Sequence, residues 1–111
     1  MGDASPLADT GGVPYTAVIF TSVRRPAAAS PEYAATARRM DELAREQPGY
    51  LGIESAAADG VGVTVSYWAS PAAARAWKAV AEHAAAQALG RERWYADYRV
   101  RIATVDRDYG P

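Results

Sequence analysis

The stretch that most constrains the fold is Val61–Trp68 (VGVTVSYW). Val61, Val63, Val65 and Tyr67 fall on one side of it, and Gly62, Thr64, Ser66 and Trp68 on the other. Period-two alternation with β-branched and aromatic residues marks a strand. One face is wholly apolar and the other ends in tryptophan, so neither face is built for water. Asp59-Gly60 just before it is a tight hairpin signal, which pairs it with Tyr50–Ala57 (YLGIESAA). Ser70-Pro71 just after it is a helix start: serine caps, and proline suits the first helical position. The helix runs to about Leu89, with Gly90 as a stop. Ala73, Trp77, Val80, Ala84 and Ala88 form its buried stripe. His83 sits beside that stripe, about 120° round from Trp77.

The rest of the chain repeats this grammar. Tyr15–Arg24 (YTAVIFTSVR) reads as a strand that is substantially apolar on both faces, and Pro26–Ser30 as a loop. Ser30-Pro31-Glu32 starts a second helix, with the acid placed to complement the positive end of the helix dipole. Tyr33, Ala37, Met40 and Ala44 recur at helical spacing with Leu43 beside them, and the helix stops before Pro48. Arg91–Tyr95 reads as a turn or short helix. Tyr98–Tyr109 reads as the last strand, with Arg99 and Arg101 at alternate positions, a pattern suited to a sheet edge.

The order is β-α-β-β-α-β. This predicts an α+β, ferredoxin-like domain: four antiparallel strands with both helices on one face. Two helices cover one side of a sheet, yet two strands are apolar on both sides. A symmetric homodimer with two sheets face to face satisfies that pattern. Residues 15–111 form the domain, and Met1–Pro14, rich in Gly, Asp, Ala and Pro, reads as a flexible leader.

Composition removes whole classes of function. At 111 residues the chain is one domain with one core. Its net charge of −1, with both signs mixed along the chain, argues against a nucleic-acid-binding module. The absence of cysteine removes disulfides, thiolate metal sites and cysteine nucleophiles. A single histidine removes a multi-histidine metal site within one subunit, so no metal ligands are predicted. No apolar run approaches the roughly 18 residues that would span a bilayer, and the N-terminus lacks a signal pattern. The expected compartment is the cytoplasm.

Four strings carry a family resemblance: QPGYLGIES (Gln47–Ser55), GVTVSYWASPAAARAWK (Gly62–Lys78), Glu82-His83, and GRERWY (Gly90–Tyr95) followed by a Tyr-x-Val-Arg-Ile strand. Together they resemble the antibiotic biosynthesis monooxygenase family of the dimeric α+β barrel superfamily, over about Tyr15 to Tyr109. The resemblance implies a cavity between helices and sheet. It also implies oxidation of a small aromatic or quinol-like molecule by molecular oxygen, with neither metal nor flavin. A related branch binds and degrades haem, which makes a haem-binding or haem-degrading protein the first alternative. A non-catalytic dimeric binding or scaffold protein is the second.

In those terms Phe20, Trp68 and Trp77 line the cavity and His83 accepts a proton, or ligates haem in the alternative reading. Tyr95 or Arg99 orients oxygen substituents of a small hydrophobic aromatic ligand. Thr64 stands four residues before Trp68, where the aromatic-oxygenating branch commonly has asparagine. The first strand also lacks the asparagine of the haem-degrading branch; the chain contains none.

Overall fold

The computed structural model describes residues 5–87 and 93–111. Strand β1 (Tyr15–Arg24) leads through a 3-10 turn at Pro26–Ala29 into helix α1 (Pro31–Arg45). Strands β2 (Tyr50–Ala58) and β3 (Val61–Trp68) form a hairpin. Helix α2 (Pro71–Gln87) and strand β4 (Tyr95–Val105) complete the chain. The four strands make one antiparallel sheet in the order β2-β3-β1-β4. This is the ferredoxin-like arrangement expected from the order of elements.

Local chemistry explains the boundaries. The Ser30 hydroxyl accepts from the Tyr33 N–H at 3.2 Å, and the Ser70 hydroxyl from the Ala73 N–H at 3.1 Å, so both serine-proline starts are capped. The hairpin turns on Asp59 and Gly60, at φ 54° and 78°, the pair of positive values that a two-residue turn between twisted strands requires. The last strand starts and ends earlier than expected. It begins at Tyr95, because the Arg25 N–H and Nε–H donate to the carbonyls of Trp94 and Tyr95 and tie them to the end of β1. The expected end of α2 at Leu89, its Gly90 stop, and Arg91 lie outside the described residues.

Side chains facing the helices along β3 are small at Gly62, Thr64 and Ser66, then large at Trp68. At the Trp68 end the layer is dense. Trp68 is fully buried, stacks on Trp77 at 5.6 Å between centroids, and takes the Tyr50 ring edge-on. Val18, Ala44 and Ala74 complete that core, with Met40, Leu43 and Val80 against it. At the Gly62 end the strand offers little bulk, and the facing helix residues are largely alanine, which fills little space.

The opposite sheet face carries Tyr15, Ala17, Ile19 and Val23 of β1 and Val61, Val63, Val65 and Tyr67 of β3. Val23, Val61 and Val63 are exposed there. The segment expected as a flexible leader partly covers this face. Ala8 lies over Gly52 and donates its N–H to Glu54 Oε2 at 2.9 Å. Glu54 Oε1 accepts from the Tyr67 hydroxyl at 2.6 Å, and Asp108 Oδ2 accepts from the Tyr15 hydroxyl at 2.5 Å. No helix among the described residues is long and apolar enough to cross a membrane.

Candidate functional site

The hollow at the Gly62 end is a cavity of about 250 Å³ between the helices and the sheet. Its floor is sheet: Val18, Phe20, Ser22, Thr64, Ser66 and Val100. Its roof is helix: Ala37 and Met40 from α1, Trp77, Ala81 and Ala85 from α2. Lys78 and Glu82 stand at the exposed rim, their charged atoms 3.6 Å apart. The volume is near the lower bound of ligand pockets, roughly 300 Å³, and suits a molecule of one or two rings.

One end of the cavity is aromatic and polar. The Phe20 ring meets Tyr95 edge-on at 5.3 Å and Tyr98 at 5.7 Å. The Tyr95 hydroxyl donates to the Tyr33 hydroxyl at 3.2 Å. Burial, followed by that bond, raises the Tyr95 pKa well above the ordinary phenol value. Tyr95 is therefore a hydrogen-bond donor at neutral pH and not a base. Arg24 lies at the same end, its guanidinium 5.1 Å from the centroid of the Tyr33 ring.

Of the site residues expected from sequence, Phe20, Trp77 and Tyr95 line this cavity together. Three do not. Trp68 is buried behind the cavity; its Nε1–H donates to the Ser66 hydroxyl at 2.9 Å, so it orders Ser66 and backs Trp77 without touching the open space. Arg99 points to the opposite sheet face, because it pairs with Thr21 in the β1–β4 register while the cavity takes Tyr98 and Val100. His83 is exposed and absent from the lining. The helix face toward the sheet keeps Ala73, Trp77 and Val80 of the expected stripe and adds Ala74, Ala81 and Ala85. Two residues beyond Ala81, about 200° round, His83 faces solvent.

Arg24, Tyr33 and Ser22 were missed as site residues. The signal for Arg24 was Gly62. A glycine inside an otherwise bulky strand marks a close approach, and a β-carbon at Gly62 would stand 2.9 Å from Arg24 Nη2 and 3.0 Å from Nε.

Residues 14–89 match the family model for antibiotic biosynthesis monooxygenases. The chain belongs to the antibiotic biosynthesis monooxygenase family. A relative from Bacillus subtilis (strain 168), "Uncharacterized protein YqjZ", is 50% identical over 102 residues, 91% of this chain and 88% of the relative. Among solved structures, SnoaB of Streptomyces nogalater, a cofactor-independent oxygenase, superposes with a TM-score of 0.69 at 17% identity, over 86% of this chain and 97% of that one. A conserved protein from Methanosarcina mazei Go1 superposes with a TM-score of 0.67 at 9% identity, over 81% and 91%. At such identities these structures establish the fold.

The cavity does not fit haem, the group of the first alternative reading. Its volume is small, and the chain's one imidazole lies outside it.

Proposed function

We propose that this member of the antibiotic biosynthesis monooxygenase family oxidises a small aromatic phenol or quinol with molecular oxygen in the cavity between helices and sheet, without metal or flavin. The carrying observation is the cavity itself: an apolar, aromatic-walled space with phenol hydroxyls and a cation at one end. SnoaB's description as a cofactor-independent oxygenase supports the reaction class.

The chemistry asks for few protein groups. Phenol ionisation gives an electron-rich anion, which transfers an electron to oxygen. Recombination forms a carbon–oxygen bond, and proton transfer with O–O cleavage releases water. The ring gains one oxygen and loses two hydrogens, leaving a quinone. Phe20 and Trp77 hold the ring flat, and Tyr95 orients the Tyr33 hydroxyl, whose own proton is free to be donated to the ring's oxygen substituent. The phenol proton leaves toward the open rim, where Glu82 and solvent stand; His83 has no part in it. Apolar walls keep bulk water from the reduced-oxygen intermediate.

Assembly belongs to the same proposal. Two copies pack sheet to sheet through the face that exposes Val23, Val61 and Val63, which the chain's own helices do not reach. Apolar strand faces left uncovered by their own chain are the surfaces a symmetric partner buries.

The test is oxygen uptake by the purified protein with one- and two-ring quinols, naphthalene-1,4-diol first. Uptake above the spontaneous rate, reduced about tenfold or more by Tyr95→Phe, supports the proposal. Uptake equal to the protein-free control for every quinol removes it.

A further inference from the structure

We infer that the aromatic end of the cavity is an anion site, built around Arg24, that selects planar aromatic ligands carrying a negatively charged oxygen. The inference rests on the same cavity as the proposed function and names the charge state it takes. It concerns binding alone and requires no turnover.

The geometry is that of a fixed cation. Arg24 is the last residue of β1 and projects from the helix-facing side of the sheet, in line with Phe20 and Ser22. Its guanidinium lies flat over Gly62, at distances that leave no room for a β-carbon. Tyr33 of α1 covers it from above as a cation–π partner. Tyr33 is itself held by the Trp94 ring edge-on at 5.2 Å and by the Tyr95 hydroxyl. The guanidinium is thus sandwiched between strand and helix, with little freedom left to lose when a ligand arrives.

Among the described residues this cation has no counterion. Arg24 Nε is buried and has no hydrogen-bond partner. Among the described residues no carboxylate pairs with Arg24; the two ion pairs are Arg39–Glu42 and Lys78–Glu82, both exposed. A half-buried guanidinium with an unsatisfied donor is unfavourable alone and gains most from an anionic acceptor. A cation–π contact with Tyr33 offsets only part of that cost. The Tyr33 and Tyr95 hydroxyls sit beside it, so one ligand oxygen meets a positive charge and phenol groups together. Along the rest of the cavity, Val18, Met40, Trp77, Ala81 and Val100 offer apolar surface. Charge at one end and a narrow apolar slot behind it describe a phenolate, an enolate or an aromatic carboxylate.

The probe is 4-nitrophenol, whose ionisation is visible by colour, with 4-nitroanisole as its uncharged counterpart. Quenching of Trp77, the tryptophan that lines the cavity, reports occupancy and should vanish in Trp77→Phe. The wild-type protein should bind the phenolate about tenfold or more tighter than the neutral phenol or the anisole. Arg24→Met should abolish that preference while keeping 4-nitroanisole binding, and Arg24→Lys should restore part of it. Gly62→Ala, which displaces the guanidinium without removing it, should also erase the preference and serves if Arg24→Met fails to fold. Lys78→Met should cost less than Arg24→Met. No binding of 4-nitrophenolate, equal binding of charged and neutral probes, or an undiminished preference in folded Arg24→Met or Gly62→Ala overturns the inference. A charge preference without quinol oxidation would count against the oxygenase reading and leave this inference standing.

Discussion

Trp68 and Trp77 stack at 5.6 Å and 21°, yet only Trp77 reaches the cavity. Trp68 is the buried half of the pair, anchored through its indole N–H to Ser66. One is structural and the other forms the wall, and substitutions should separate them. Trp68→Ala should cost about 3–5 kcal/mol of stability through the cavity it opens. Ser66→Ala should cost about 1–3 kcal/mol, because it strands a buried donor. Urea unfolding measures both. Trp77→Phe should alter ligand binding more than it alters stability.

His83 is exposed, so His83→Ala should leave oxygen uptake with naphthalene-1,4-diol within about twofold of wild type, since exposed substitutions away from a site act weakly. Its pH profile should also be unchanged. A loss of tenfold or more would return the histidine to the chemistry.

Alkaline pH should unfold the protein through its tyrosines. Tyr67 and Tyr95 are raised from the ordinary 10.0, chiefly by burial and then by hydrogen bonds to Glu54 and Tyr33. Tyr15 is raised mainly by its bond to Asp108, and Tyr50 by burial. The folded state holds these protons more tightly than the unfolded chain does. Their stabilisation is therefore complete below pH 10 and falls as pH rises above it, where the unfolded tyrosines ionise first. Urea midpoints should be flat from pH 7 to 9 and drop beyond 10, and Tyr67→Phe should shallow the drop.

The outer sheet face makes a prediction about mass. The chain is 11.8 kDa, and sedimentation should give twice that. Val63→Lys places a charge at the centre of the exposed apolar face and should weaken association about 100-fold, the scale of an unpaired charge at an interface. A wild-type species that stays at the single-chain mass would remove the sheet-to-sheet dimer.

Much of the architecture could be read from local rules. Period-two alternation gave β3 to the residue, and Asp59-Gly60 and the two Ser-Pro pairs marked the hairpin and both helix starts. The cavity was half legible. The family resemblance implied a cavity between helices and sheet, but which residues line it depends on register. The family resemblance made Trp68 a cavity wall; it became core because it lies at the end where Tyr50, Trp77 and Ala44 already fill the layer. His83 looked adjacent because the expected stripe ran through Val80 and Ala84; the covered face of α2 extends from there toward Ala81 and Ala85, and His83 lies beyond its edge. Arg99 was expected to orient oxygen substituents, and alternation sends it to the other side. Arg24 escaped notice because a strand-end arginine normally faces solvent, and only its contact with Gly62 reveals otherwise.

The central claim is that reaction occurs in the space above Thr64 and Ser66. The direct measurement is oxygen uptake by Thr64→Phe, in which an aromatic suited to a strand fills that space. Uptake should fall to the protein-free rate while the unfolding transition stays cooperative. A folded Thr64→Phe that consumes oxygen as wild type does would contradict the account.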